Sequence, residues 1–493
     1  MLNGPVQSLR GSVLFLFVIF LFVSILFADL LPLPLNGYEF QRFLLVIILA
    51  LTVPVSVFFF LRLHGWAFFL REWEWIGVAV GFLVLALPSQ GSSYVWVEPG
   101  MYAAFFFGIF FLGMLPIKTE EKLNGAALVA YASILVSTFY GATSLLIYVF
   151  AISGGVSDLA DYIPWGFANI RYWSHLATWL LPLFPLAVLV GPWRSKRRWQ
   201  FFVLVGAALW WWIVFLSMAR GTLLGLAFGL IVVMFMMGRS AIPWLKVVFR
   251  HCTCGFFAWL LLCVLVPNVL LEDSSIRSIN TTASGRLVLF GEAWTMSLQN
   301  FPWGMGSQAW LTHEIYTDGY RQAPKFAHPH SMYLMWAAEY GWLLVVAVVL
   351  LVVRCIRSAW RRCSELGAYR SPVLNASVAG FLASVSAAMI HAGASAVFLA
   401  PGSMLTGFVV LSIFWGLISE PKSSPSAERR IGSSVVIAVG VVACLSIAWF
   451  VEVGRYYQAM KADIPYYEDN VREGLMPRFW LHGNFPRKES EMP

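Results

Sequence analysis

The sequence predicts an all-α protein, a polytopic transmembrane bundle of about twelve to thirteen spans with one large loop outside the membrane. Three observations carry this. Hydrophobic residues fill 59% of the 493 positions and charged residues only 12%, and the mean hydropathy is +0.75. Apolar runs of about 18 residues, the length that crosses a bilayer, recur about thirteen times. The alternation of every second residue that marks a membrane barrel is missing. In lipid each segment must satisfy its own backbone polar groups, so the helix is the remaining choice.

Taken in order, Arg10 precedes a run over 12–28. A signal peptide would need a small-x-small cleavage site, and Leu26-Phe27-Ala28 is a poor one, so the run reads as a retained first helix. Further spans are expected over 43–61, 76–88, 101–117, 123–152, 173–190, 201–215, 222–237, 247–270, 332–353, 373–394, 404–418 and 433–451. The connections alternate in charge. Trp193-Arg194-Ser195-Lys196-Arg197-Arg198 is strongly basic, as is the stretch holding Arg354, Arg357, Arg361, Arg362 and Arg370. The loop 89–100 has no Lys or Arg. By the positive-inside rule the basic connections are cytoplasmic. That places Arg171, the turn Ser217-Met218-Ala219-Arg220-Gly221 and the loop 271–330 together on the outer face. Residues 1–451 thus form one helical domain that includes the large loop, and 452–493 form an external tail. The net charge of +8 sits mostly in the inner loops, so it signals membrane orientation and not nucleic-acid binding. All six cysteines lie in apolar spans or inner basic loops, and no disulfide is expected.

Within the large loop, Ser284-Gly285-Arg286 opens a helical pattern with Leu287, Phe290, Trp294 and Leu298 at steps of three and four. Ser284 is a plausible N-cap, and Pro302-Trp303-Gly304-Met305-Gly306 ends the helix. Arg286 in the first turn opposes the helix dipole unless an anion lies beside it. Arg220 is either a snorkelling side chain at a helix end or an outward cation kept for a ligand. His330 follows His328-Pro329 just before the next span, and its pKa near neutrality suits a general base. The plain alternative is a histidine at a helix start. His328 precedes proline, whose restriction turns its side chain elsewhere. Arg321 is expected to be solvated. Glu339, two turns into a span, needs an arginine or backbone donor as partner, and His391 reads as packing. The loop has no clustered carboxylates and no His-x-x-x-His, so no metal is expected. Two arginines and a histidine on one face suit a diphosphate leaving group and a hydroxyl nucleophile.

Three motifs resemble the O-antigen ligase and polymerase superfamily of bacterial inner-membrane glycosyltransferases. They are His330-Ser331 with Leu334, Glu339 and Gly341; Ser284-Gly285-Arg286 with Pro302-x-Gly-x-Gly306; and the turn from Ser217 to Gly221, which carries two extra residues between Ser and Arg. The resemblance covers about 217–341. It implies a GT-C-like helical fold, a glycan donor on undecaprenyl diphosphate, and metal-independent transfer with inversion and without a cofactor. It implies His330 as catalytic base and Arg220 and Arg286 as diphosphate ligands. His328, Arg321 and Glu339 are accessory candidates from the residues themselves. A ligase, which moves the glycan onto lipid A-core, fits the single dominant loop better than a polymerase, which joins repeats. A protein-directed oligosaccharyltransferase is a third option. A lipid-glycan flippase or other transporter would place charges midway along several helices or show repeats, and neither is seen.

Overall fold

The computed structural model describes residues 5–87, 94–115, 118–156, 158–271, 285–369, 371–419, 432–471, 477–483 and 485–486. These are helical and contain no strand. The first half comprises α1 (Pro5–Leu26), α2 (Gly37–Leu63), α3 (Trp66–Arg71), α4 (Trp73–Val84), α5 (Val97–Met114), α6 (Thr119–Ser153), α7 (Ile170–Leu180), α8 (Leu186–Leu189) and α9 (Arg197–Ser217). Next come α10 (Arg220–Met237), α11 (Ile242–Trp259), a π-helical stretch Leu260–Leu265 and α12 (Val266–Leu270). The large loop holds α13 (Arg286–Gln299), α14 (Ala309–Thr312) and α15 (Asp318–Gln322). The last helices are α16 (Met332–Tyr369), α17 (Pro372–Ala392), α18 (Pro401–Ile418) and α19 (Ser433–Asn470).

Among the described residues nine helical runs are long and apolar enough to span a membrane. The sequence count of about thirteen divides the chain more finely. Ser12–Leu26 and Trp73–Val84 are apolar but short. The span expected over 173–190 is broken into α7 and α8. Arg220–Leu270 counts as one run although Gly238, at φ +51°, interrupts it. The protein is therefore a multi-pass, all-α membrane protein.

Two close approaches organise the bundle around the loops that carry the candidate residues. On α10, Gly225 and Gly229 lie against the backbone of α17, where an added Cβ would stand 2.6 Å from the Ala387 oxygen and 2.5 Å from that of Ala383. Small residues four apart let helices pack backbone to backbone in lipid, and this contact carries Arg220 at the head of α10 to its place beside α17. The second approach lies inside α16. Gly341 has φ +81° and ψ 172°, so the run is two helices meeting at a break. The turn after α13 fills it. Met305 N–H donates to Ala338 O at 3.0 Å and Gly306 N–H to Glu339 O at 2.7 Å. These bonds satisfy carbonyls that the break would otherwise leave bare. A Cβ on Gly304 or Gly341 would collide with the other strand of this contact. The Pro-x-Gly-x-Gly and Glu-x-Gly segments are thus two sides of one joint.

The loop departs from expectation in one respect. Leu287, Trp294 and Leu298 are exposed, while Leu289, Ala293 and Met296 face inward with Glu292. The apolar stripe of α13 therefore points outward, away from the protein, while its other face is buried. Burial opposes the charge of Glu292. The Thr317 hydroxyl, the N–H groups of Tyr316 and Thr317, and His313 at 3.0 Å outweigh it and hold the carboxyl below its ordinary range. Arg277, Ser284 and Asn280-Thr281-Thr282 lie outside the described residues. The six cysteines are free thiols.

The tail also departs from expectation. α19 continues to Asn470, and residues 477–483 return into the bundle. Arg478 and Trp480 are buried. Arg42 of α2, also buried, donates to Phe479 O at 2.8 Å and Leu399 O at 2.6 Å, and its guanidinium stands 4.6 Å from the centre of the Phe479 ring. His482 meets Asp463 at 2.8 Å.

Candidate functional site

The site begins with how the chain turns at residues 327–332. His330 adopts a left-handed backbone, φ +59°, which is uncommon for a residue with a Cβ. Ser331 then starts α16: its hydroxyl accepts from Leu334 N–H at 3.4 Å, a capping arrangement. The reversal folds His328 and His330 together, with ring centres 4.5 Å apart and edge to face. His330 N–H donates to His328 Nδ1 at 3.2 Å. Both are buried, at 3% and 4% exposed. His328 is therefore a packing partner of His330 and not a side chain turned elsewhere, because the left-handed residue after Pro329 closes the turn.

His330 Nε2 lies 3.2 Å from Nη1 of Arg171. Arg171 stands in the first turn of α7, set there by Asn169, whose side chain accepts Arg171 N–H at 2.9 Å. The arginine can only donate, so His330 Nε2 is the acceptor and its proton sits on Nδ1. Burial, reinforced by the cations Arg171 and Arg286, lowers the His330 pKa to about 3, and burial likewise lowers that of His328. His330 is therefore neutral, with its Nε2 lone pair held by Arg171.

Arg171, Arg220 and Arg286 form the rest of the site. Arg286 is the first residue of α13, capped by Gly285 at φ +66°. Arg220 is exposed and heads α10 after the left-handed Met218, φ +49°. Burial lowers the pKa of Arg171 and of Arg286, and each is lowered further by the charge of Arg220; Arg171 also acts on Arg286. Neither Arg171 nor Arg286 has a carboxylate partner among the described residues, and Arg286 Nε is buried with no hydrogen-bond partner. Cations gathered this way, with Arg286 Nε unmet, are complementary to an anion. A polar seam fastens the helices beneath them. Thr178 of α7 bonds Thr222 of α10 at 3.0 Å and His391 of α17 at 2.8 Å, and His175 meets Ser395 at 2.7 Å. His391 thus serves packing.

The other two candidates lie elsewhere. Arg321 is 65% exposed and pairs loosely with Asp318 at 3.9 Å, as a solvated residue does. Glu339 is fully buried and bonds Arg478 at 2.6 Å and Trp310 N–H at 3.2 Å. Sequence reasoning missed Arg171 and Arg478. Arg171 carried the signal that marked Arg220, a cation in an outer loop. Arg478 carried none, since it reaches Glu98 across 380 residues. Arg478 donates to both oxygens of Glu98 at 3.1 and 2.9 Å, to Glu339, and to Ala327 O at 3.2 Å, directly beside the His328–His330 turn. Among the described residues no three His, Cys, Asp or Glu side chains gather into a metal-holding group.

Fold and site define a helical membrane protein with an anion-complementary, histidine-bearing site where loops meet helix ends. Residues 205–349 match the family described as O-antigen ligase, and the match spans Arg220, Arg286 and His330. This bears out the resemblance to the O-antigen ligase and polymerase superfamily. No curated protein matches the chain.

Proposed function

We propose that the protein is an inner-membrane O-antigen ligase. It transfers a glycan from undecaprenyl diphosphate to a hydroxyl of lipid A-core on the periplasmic face, by inversion and without a metal. The observation that carries this reading is His330 Nε2 beside Arg171, with Arg286 acting on the same histidine and Arg220 on both arginines. The diphosphate binds Arg171, Arg220 and Arg286. Its charge draws Arg171 off His330, which frees Nε2, and it raises the basicity of the imidazole by neutralising nearby cations. The acceptor hydroxyl attacks the anomeric carbon as the sugar–phosphate bond breaks. The bonding pair leaves with the diphosphate, and the hydroxyl proton passes to His330 Nε2. Arginines placed this way supply the charge stabilisation that a divalent ion gives other diphosphate-using enzymes, so transfer should survive excess EDTA.

The deciding experiment is the lipopolysaccharide of a deletion strain. A bare core with glycan accumulating on the lipid carrier supports the ligase. Core capped by a single repeat identifies a polymerase, and unchanged lipopolysaccharide sinks both readings.

A further inference from the structure

At the far end of the bundle lies a cavity of about 390 Å³. α5 links the two ends. Its Glu98 meets Arg478, while Met114 lines the cavity about 24 Å away at 1.5 Å per residue. Arg71, Arg354, Arg361 and Arg362 line it, with Glu72 and Glu365. Arg354 Nη2 donates to both oxygens of Glu72 at 2.8 and 3.0 Å, and Arg362 is 3.5 Å from Glu365. Arg71 and Arg361 have no carboxylate at ion-pair distance among the described residues, so four lining arginines against two carboxylates leave two positive charges in excess.

Two further groups face the same need. Trp415, 2% exposed, and Ser419, 7% exposed, line the cavity. The Trp415 indole Nε1 and the Ser419 hydroxyl are buried without a hydrogen-bond partner, as is Arg354 Nε. Indole and guanidinium nitrogens only donate, and buried donors without an acceptor are costly. The wall therefore offers donors and positive charge and is short of acceptors. Phe68, Met114 and Ile418 complete it with apolar surface.

We propose that this cavity binds a phosphate-bearing anion. The phosphate lies on Arg71 and Arg361, takes the Trp415 N–H and Ser419 O–H, and leaves an uncharged portion against Phe68 and Met114. Basic pockets between membrane helices on the cytoplasmic side take lipid headgroups in this way. A soluble phosphate compound would meet the same donors. The site is separate from the transfer chemistry proposed above and does not depend on it.

Native mass spectrometry of the full-length, detergent-purified protein tests this. The protein is titrated with phosphatidylglycerol, and with diacylglycerol of the same chains as a control without phosphate. Phosphatidylglycerol should be retained preferentially. Each arginine beside an anionic headgroup is worth about fivefold, so Arg71→Gln with Arg361→Gln should weaken retention about 25-fold, and Lys at both positions should restore much of it. Trp415→Phe keeps the ring, removes the N–H and should weaken retention a few-fold. This milder variant decides the matter should the double variant not purify as a single species. Millimolar inorganic phosphate that displaces the lipid assigns the site to soluble phosphates; failure to displace it assigns the site to the headgroup. Equal retention of diacylglycerol, or wild-type retention by the double variant or by Trp415→Phe, overturns the proposal.

Discussion

Replacing Arg478 by methionine should be among the most damaging single changes outside the proposed transfer site. The side chain is fully buried and answers two fully buried carboxylates, Glu98 and Glu339. Methionine fills similar space but leaves both acids unpaired. Breaking a buried ion pair from one side costs about 3–5 kcal/mol, and here one cation serves two anions, so the upper part of that range applies. Neutralising the acids as well removes the uncompensated charge. Arg478→Met combined with Glu98→Gln and Glu339→Gln should therefore be more stable than Arg478→Met alone, by roughly 2 kcal/mol or more, since groups in one network are not additive. The measurement is thermal stability of purified protein in detergent, followed by size-exclusion fluorescence, with transfer assayed below the melting range. Arg478 also holds Ala327 O beside the His328–His330 turn, so the triple variant should recover stability before it recovers turnover. Stability of Arg478→Met equal to wild type would refute the argument, and so would strictly additive effects of the three changes.

Four more outcomes follow. His330→Ala should lose about 10²–10⁴-fold in turnover while retaining the lipid-linked donor. His328→Ala should lose less, with His328→Asn recovering activity by offering its carbonyl oxygen to His330 N–H; the opposite ranking would misassign the base. With its pKa lowered to about 3 in the free protein, His330 should become protonated only in strong acid. The acid limb of kcat/KM should therefore fall below the ordinary histidine range, and that of kcat, measured with diphosphate bound, should lie higher. Unfolding exposes this histidine at its normal pKa, so its burial lowers stability as pH falls below about 6.5, a loss that grows toward pH 3. Ala in place of Arg171, Arg220 or Arg286 should each cut activity strongly, and Lys should rescue only in part, because a point charge lacks the bidentate fork; full activity of all three Ala variants would remove the diphosphate site. A cysteine at Asp318, whose side chain is 91% exposed, should react with a membrane-impermeant thiol reagent in intact spheroplasts. Labelling only after lysis would put the loop on the wrong face.

Much of this architecture was legible residue by residue. A membrane helix satisfies its backbone within itself, so hydropathy and length in a local window are enough to find it. The basic connections, the arginine heading α10, the arginine opening α13 and the histidine before α16 were readable for the same reason: each sits at a chain position where an apolar run starts or stops. What only the tertiary structure decided is long-range. No window contains both Arg478 and Glu98, or Arg171 and His330, which lie 159 residues apart. The break at Gly341 exists because the turn around Gly304 supplies donors for the carbonyls it frees. The apolar stripe of α13 could equally have faced inward or outward, since periodicity marks a face without saying what covers it. The return of the tail was invisible because a buried arginine has no local signature: its desolvation is offset only by partners that folding brings together.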